Sequence, residues 1–354
     1  MSGNATGVLF RVATWGESHG PAVGALIDGC PPRLALAEAD IQEELDRRRP
    51  GWLPSASPRR EADRVEILSG LFEGVTLGTP IAMLVRNTDA RAEEYEALRD
   101  VFRPGHADYA YQQKYGVRDH RGGGRSSGRE TAGRVGAGAL ARLALATAGV
   151  SIVGGTVQVG AVKAVRRDWD EVEKNPVRCP DAGAAVEMAG VIEAAREAKD
   201  SVGGVVEVVA RGVPAGWGDP TMAKLDALLG AAMLSIPATK GVEIGEGFAL
   251  AARHGSETND VLEGGRYRTN FAGGIAGGIS NGADVVVRVA VRPASSIGRP
   301  QVAATKAGGT TTIAIAGRHD PCICPRVVPV AEAMMAVTLV DAWLRQRALR
   351  GREK

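Results

Sequence analysis

Alternating apolar and polar positions predict β-strands early in the chain. The segments 7–14 (GVLFRVAT) and 22–29 (AVGALIDG) alternate on either side of the turn WGESHGP, and two further strands are predicted at 64–70 and 81–87. A period of two places successive side chains on opposite faces, as in strands that bury one face. Segment 156–162 (TVQVGAV) has the same pattern further along the chain.

Helical periodicity predicts the remaining long elements. A helix is expected at 37–49 (AEADIQEELDRRR), ending before Pro50 with three arginines that suit the negative end of the helix dipole. The other predicted helices are 131–149, which is rich in small residues and therefore closely packed, 182–200, 219–235 with Asp219 as its cap and Pro220 at its first position, and a last helix from about Val330 to Leu349.

Two segments resemble each other, 201–214 (SVGGVVEVVARGVP) and 280–293 (SNGADVVVRVAVRP). Each runs from Ser to Pro through alternating valines, which is consistent with a weak internal duplication of a strand-helix unit. Low-complexity linkers are absent from the sequence. We therefore predict a mixed α/β fold without a clean domain boundary.

Composition indicates an ordinary folded protein. The 354 residues are 44% hydrophobic and 24% charged, with a formal net charge of only +2. The global charge does not point to nucleic acid or a membrane. The early apolar run is cut by Arg11, lacks a basic leader, and no apolar stretch reaches the ~20 residues of a membrane span. With four cysteines spaced neither for zinc nor for a disulfide framework, we expect free thiols and a cytoplasmic location.

The most unusual segment is 121–131 (RGGGRSSGRET), with three arginines and four glycines. Residues 99–134 together carry eight Lys/Arg and four Asp/Glu, a local charge of +4. Ser127 and Glu130 have capping-box spacing, so the loop is expected to enter a helix N-terminus, which favours an anion. Arg125 and Arg129 add forked donors for phosphate. Solvated surface arginines and disordered RNA binding remain alternatives, although RNA binding needs stacking aromatics that are scarce here.

Histidines supply candidate acids. His19 and His106 stand in turn-like contexts, as does His319, and histidine donates protons readily near neutral pH. A three-histidine metal site is the rival interpretation, but none of the five histidines has close-pair or helical spacing. Asp320 is either a general base or a turn-former ahead of Pro321. Together these residues predict an enzyme with an arginine-lined pocket for a phosphorylated anion.

Several long motifs resemble the chorismate synthase family. They are FRVATWGESHGPAVGALIDGCPP (10–32), DVFRPGHADYAYQQKYGVRDHRGGGRSSGRETAGR (100–134) and GRHDPCICPRVVPVAEAMMA (317–336), joined by DRRRPG, VEILSGLFEGVTLGTPI, TKGVEIGEGF and AGGIAGGISNG. The resemblance extends over nearly the whole chain. It implies a single domain over residues 1–354, a β-α-β sandwich of antiparallel sheets and helices, assembled as a homotetramer.

The resemblance also implies a reaction. The family converts 5-enolpyruvylshikimate 3-phosphate to chorismate, the last shared step towards the aromatic amino acids, by an anti 1,4-elimination of phosphate. Reduced FMN is required without net redox change, because the flavin lends electron density as phosphate leaves and then recovers it. The insertions of bifunctional members are missing, which favours reduced FMN from a separate flavin reductase, with NADPH used only indirectly.

Roles for individual residues follow from the same resemblance. His106 resembles the acid that protonates the leaving phosphate, His19 the residue placed to protonate the reduced flavin, and Asp320 the residue that relays a proton at the flavin. The implied substrate contacts are Ser18, Arg48, Arg103, Arg129 and Arg318. The implied flavin contacts are Arg125, Ser126, Ser127, Pro237, Ala238, Gly277, Arg292, Pro293, Ala294, Ser295, Ser296 and Arg318.

Two positions depart from the family pattern. Pro54 stands where the family has an arginine, and Pro237 stands where it has an asparagine. An FMN-binding paralogue that lacks the elimination activity is therefore the alternative function.

Overall fold

The computed structural model describes residues 3–49, 62–88, 92–315 and 320–350. The helices are α1 Glu38–Arg48, α2 Asp108–Tyr115, α3 Thr131–Ala146, α4 Ala182–Glu197, α5 Leu225–Leu234, α6 Gly255–Thr258 and α7 Cys324–Arg350. The strands are β1 Ala5–Thr6, β2 Arg11–Gly16, β3 Ala22–Asp28, β4 Val65–Ile67, β5 Leu71–Phe72, β6 Val75–Thr76, β7 Ile81–Arg86, β8 Val101–Phe102, β9 Ser151–Val159, β10 Val162–Lys163, β11 Gly204–Arg211, β12 Thr239–Ile244, β13 Leu262–Glu263, β14 Arg266–Tyr267, β15 Ile275–Ala276, β16 Ile279–Ser280, β17 Val285–Val291, β18 Gln301–Thr305 and β19 Thr310–Ile313.

Two antiparallel five-stranded sheets enclose a helical layer. Their strand orders are β1-β2-β3-β7-β4 and β10-β9-β11-β17-β12. Helix α3 packs on the first sheet, α7 packs on the second, and the two helices pack against each other. Their buried faces join both sheets in one continuous apolar core. The predicted β-α-β sandwich is confirmed.

The two similar segments form neighbouring strands of the second sheet. Strands β11 and β17 pair antiparallel, with Gly204 opposite Val291 and Ala210 opposite Val285. In β17 the side chains alternate between buried and more exposed positions, as the valine alternation predicts, whereas in β11 all residues from Val206 to Ala210 are buried, so both faces of that strand are covered.

Several predicted element bounds were wrong, among them the strand at 156–162, which is the end of β9, a turn and the start of β10. Only the second half of segment 7–14 is a strand, because the backbone N–H groups of Val8, Leu9 and Phe10 donate to Asp341 Oδ1 at 2.7–2.9 Å. Asp219 does not cap α5, which begins six residues later. The intervening Thr221 has a φ of +69°, which an α-helix cannot continue through.

The last helix begins at Cys324 rather than near Val330, and Pro329 lies inside it. Proline has no N–H to donate to the carbonyl four residues earlier. That carbonyl, of Pro325, instead accepts a hydrogen bond from the buried Arg178 Nη1 at 2.7 Å. A side chain 147 residues away therefore allows the helix to start early.

Within the described part of the chain, α7 is long and apolar enough to cross a bilayer, but 83% of its most apolar window is buried inside the protein. Such burial is typical of a core helix. The four cysteines are free thiols, as predicted, and all four are buried.

Close packing of α3 on α7 depends on Gly138. A methyl group there would lie 2.3 Å from Ala333 Cβ and 2.5 Å from Ala333 Cα. We expect Gly138→Ala to lower the free energy of unfolding by about 1–3 kcal/mol, because the helices must move apart. Urea denaturation measures the change.

Gly190 in α4 is the matched control, since a methyl group there meets nothing within 4 Å. Gly190→Ala is expected to stabilise the protein by up to about 1 kcal/mol through helix propensity. Equal effects of both substitutions would contradict the packing explanation.

Candidate functional site

A cavity of about 630 Å³ opens where the 121–131 loop, the start of α7 and the segments 235–238 and 292–296 meet. The predicted site residues that line it are His19, Arg48, Arg103, His106, Arg125, Ser126, Ser127, Arg129, Pro237, Ala238, Arg292, Pro293, Ala294, Ser295, Ser296 and Asp320. The volume is within the ~300–1,000 Å³ of typical small-molecule sites. Segments from across the chain thus converge on one pocket.

Positive charge dominates this cavity. Among the described residues its lining includes seven arginines (Arg48, Arg103, Arg125, Arg129, Arg134, Arg292 and Arg326) but only two carboxylates, Glu130 and Asp320. Two more carboxylates, Asp63 and Asp108, lie directly behind the arginines. Three positive charges remain in excess with the histidines neutral. The pocket is suited to a multiply charged anion.

Asp108, at the start of α2, organises one wall of the cavity. Its Oδ2 accepts from Arg103 N at 3.0 Å and Nε at 2.8 Å, while Oδ1 lies 2.8 Å from Arg103 Nη2 and 2.9 Å from His106 Nδ1. Burial by itself raises the pKa of Asp108, but the hydrogen bonds from Arg103 and His106 outweigh it and hold that pKa well below its ordinary value. Asp108 is therefore an anion that holds two cavity-lining side chains.

Asp63 likewise holds two arginines of the cavity lining, Arg48 and Arg129. The fully buried carboxylate accepts from Arg48 Nη1 at 2.8 Å and forms a short hydrogen bond with Arg129 Nη1. Burial raises the pKa of Asp63, yet the charges of Arg48 and Arg129 bring it below its ordinary value. Arg48 also donates to Thr131 Oγ1 at 2.9 Å, and Arg129 to Asn87 Oδ1 at 2.8 Å. These guanidinium groups are held rigidly by the protein at the edge of the cavity.

His19 is held from two sides. Its Nδ1 lies 3.1 Å from the hydroxyl of the buried Ser18, and its ring packs edge-on against Tyr95 with centroids 4.9 Å apart. Gly122 passes so close that a methyl group there would be 2.1 Å from His19 Cε1. The glycine is thus required for the ring to reach the cavity.

The glycine-rich loop enters α3 differently from the prediction. Ser127 Oγ accepts from Arg129 N at 3.3 Å, so the serine caps the helix entry, whereas a capping box would have Glu130 N as the donor, and Glu130 N instead donates to Ser127 O. The reciprocal hydrogen bond of the predicted box, from Ser127 N–H to the Glu130 carboxylate, does not form. Ser127 N–H donates to Gly124 O, and Glu130 accepts from Arg134 Nε at 2.9 Å. Two short 3₁₀ turns, Gly124–Ser126 and Gly128–Glu130, precede α3. Arg125 points inward and donates to Thr14 Oγ1 and Gly16 O, unlike an arginine of a disordered RNA-binding tract.

The remaining wall combines charge with apolar surface. Asp320 pairs with Arg326 Nη1 at 2.5 Å, immediately before α7. The apolar lining residues are Ile236, Pro237, Ala238, Ile323, Val327 and Val330. The cavity therefore offers an apolar wall beside the cationic one.

The remaining expected site residues have other positions. Ser18 lies behind His19 rather than in the lining, and Gly277 lies in the turn between β15 and β16, outside the residues that line this cavity. Arg318, His319 and Pro54 lie outside the described residues. A role for Gly277 in binding stays a prediction.

Sequence reasoning missed several residues of the site. Asp108 could have been noticed, because it follows His106 by two residues in a helix-starting context. Asp63 gives no local signal, since it lies 15 residues from Arg48 and 66 from Arg129. Tyr95, Arg134 and Arg326 also line the cavity without having been predicted.

Comparisons with known proteins agree on one family. Residues 10–344 match the family model described as chorismate synthase. The chain is 54% identical to the chorismate synthase of Syntrophus aciditrophicus (99% of each chain covered) and 56% identical to that of Chloroflexus aggregans (99% of this chain, 98% of the relative). A solved structure described as "Crystal Structure of Chorismate Synthase" superposes with a TM-score of 0.77 at 32% identity, covering 96% of this chain and 93% of that one. With a family match over most of its length and relatives this similar, the chain belongs to the chorismate synthase family.

Proposed function

We propose that this protein eliminates phosphate from 5-enolpyruvylshikimate 3-phosphate to form chorismate, with reduced FMN as cofactor. In the reaction the ring C–O bond to phosphate and one ring C–H bond break, a second ring double bond forms, and phosphate and a proton are released. The observation that carries the proposal is the cavity with seven arginines, two histidines and two carboxylates in its lining. Both the substrate and the flavin phosphate are anions that such a pocket attracts.

The described residues fit a flavin. A flat, largely apolar ring needs a surface such as that formed by Ile236, Pro237 and Val327, and a phosphate needs donors such as Arg125, Ser126 and Arg292, all of which line the same cavity. When bound, reduced FMN supplies electron density to the substrate as phosphate leaves and recovers it afterwards. We propose that Ser127, Ala238 and residues 293–296 complete its contacts in this cavity, together with Arg318, while a contact of Gly277 with the flavin stays a prediction from the resemblance.

The chain's own groups perform the proton transfers and hold the anions. We propose that His106 protonates the departing phosphate, because it lines the cavity and its Nδ1 lies 2.9 Å from Asp108 Oδ1, which leaves Nε2 as the ring nitrogen for a ligand. His19 and Asp320 are the proposed proton carriers near the flavin ring. Arg48, Arg103 and Arg129 provide fixed positive charge where phosphate charge develops, which requires little reorganisation because Asp63 and Asp108 already hold them.

An anaerobic assay tests this function. Purified protein, chemically reduced FMN and the substrate are combined, and chorismate absorbance is followed together with phosphate release. Equal amounts of both products are expected. Tight FMN binding without either product would identify the FMN-binding paralogue instead and refute the proposed elimination. Salt-steep RNA binding that is lost in the Arg125→Ala and Arg129→Ala variants would instead support the RNA interpretation.

The Gly122→Ala variant tests the placement of His19. The new methyl group would overlap the imidazole at 2.1 Å, so we expect the ring to move and kcat to fall about tenfold or more. Gly116→Ala is the matched control, because Gly116 has a similar φ of +71° but nothing within 4 Å of the added carbon. If both variants lose the same activity, backbone strain rather than the position of His19 is responsible.

We further propose a cytoplasmic homotetramer that receives reduced FMN from a separate flavin reductase, with NADPH used only there. Sedimentation of the purified protein and an assay with NADPH but without any reductase check these two expectations. Chorismate formation from NADPH and oxidised FMN by the pure protein would contradict the second.

A further inference from the structure

The carboxylate of Asp108 is surrounded by three nitrogen-bearing side chains, Arg103, His106 and Arg118. Besides Arg103 and His106, Arg118 Nη1 lies 3.1 Å from Asp108 Oδ1. Arg118 is itself fixed by donating to the carbonyls of Leu98, Arg99 and Val101 at 2.7–3.1 Å. The Asp108 side chain is only 2% exposed. The carboxylate therefore cannot turn away from His106 without leaving buried cations unpaired.

Two groups compete for the same nitrogen of His106. Nδ1 lies 2.9 Å from Asp108 Oδ1, which can only accept a proton, and 3.1 Å from Arg103 Nη2, which can only donate one. Nδ1 cannot satisfy both at once. Arg103 Nη2 already donates to Asp108 Oδ1 at 2.8 Å, whereas Nδ1–H donation to a buried carboxylate is a charge-assisted bond.

The geometry points to Asp108 as the positioning residue that keeps the proton on His106 Nδ1, an inference that rests on the proposed function. With Nδ1–H bound to Asp108, a second proton on Nε2 makes the ring a cation beside a carboxylate, and Nε2 is the nitrogen of this cavity-lining ring that remains for a ligand. That form is a competent acid for a departing phosphate. The alternative, neutral form with Nδ1 accepting from Arg103 would have to become an anion to give up its Nε2 proton.

Asp108→Asn is the test substitution, because the amide keeps the shape but can donate to Nδ1. We expect kcat for the elimination to fall by ~10²–10⁴-fold, the range for losing a correctly held general acid, with KM changed by no more than a few-fold. Asp119→Asn is the control, since Asp119 pairs with Arg121 at 2.8 Å outside the residues that line the cavity. It is expected to leave both constants unchanged.

Nitrogen-15 NMR of protein labelled at its histidines tests the same inference and does not depend on catalytic turnover. His106 resonances, assigned by their loss in His106→Gln, should show a protonated Nδ1 in the wild type at neutral pH and an unprotonated Nδ1 in the Asp108→Asn variant. The wild-type result does not depend on the Asp108→Asn variant, so it is decisive even where that variant does not fold.

Two results overturn the inference. One is an unprotonated His106 Nδ1 in the wild type. The other is a raised KM with unchanged kcat in Asp108→Asn, which would mean that Asp108 serves only to hold Arg103 for uniform substrate binding. If the wild-type protein forms no chorismate, the proposed function fails, while the resonances still decide where the Nδ1 proton lies.

Discussion

Replacing His106 by glutamine is expected to lower kcat for phosphate elimination by ~10²–10⁴-fold, with little change in KM. The imidazole lines the cavity and is held at Nδ1 by Asp108, so its loss removes the proposed proton donor without removing the surrounding arginines. Steady-state kinetics under anaerobic conditions, with reduced FMN in excess, measure both constants.

Two other histidines provide controls for this substitution. His120 pairs with Glu96 at 3.2 Å, and His254 is exposed at the start of α6. Neither histidine belongs to the described residues that line the cavity. We therefore expect His120→Gln and His254→Gln to retain full activity. Unchanged turnover in His106→Gln would remove His106 from the acid role.

Glu332→Gln is expected to destabilise the fold by about 3 kcal/mol or more, as is typical when one partner of a buried ion pair loses its charge. Glu332 lies in α7, is 1% exposed, and accepts from Arg47 of α1 at 2.6 Å, Arg142 of α3 at 3.0 Å and Gly154 N of β9 at 2.6 Å. It thus joins three helices to the second sheet. Urea denaturation at neutral pH measures the loss.

The contribution of Glu332 depends on pH with a definite sign. Burial raises the pKa of Glu332, but the charges of Arg47 and Arg142 lower it to below the ordinary value of 4.5. Glu332 therefore stays ionised in the folded protein at pH values where the same side chain binds a proton in the unfolded chain. The stabilisation is complete above pH 4.5 and is lost as the pH falls further. The difference in the free energy of unfolding between the wild type and Glu332→Gln should become smaller in that acidic range.

Glu193→Gln is the matched control, because Glu193 forms an exposed pair with Arg196 within α4. Exposed pairs contribute little to stability, so unfolding should barely change. A similar loss in both variants would mean that general charge, and not the buried network, stabilises the protein.

Local periodicity was sufficient for most elements of the sandwich. The alternating valines of β17 and the small residues of α3 report their environment directly, because side-chain direction repeats every two or 3.6 residues. The starts of α5 and α7 were wrong for reasons outside any local pattern. Thr221 has positive φ, and Arg178 satisfies the carbonyl that Pro329 leaves without a donor.

By itself the sequence determined the chemistry of this protein: a mixed α/β chain with clustered arginines, glycines and histidines, in motifs long enough to identify the family. How those cations are held depends on contacts that form only on folding. Asp63 bridges Arg48 and Arg129, which are 81 positions apart, and Asp108 selects one face of His106. A buried carboxylate is stable only where folding brings several donors around it, and that requirement leaves no regular spacing along the chain.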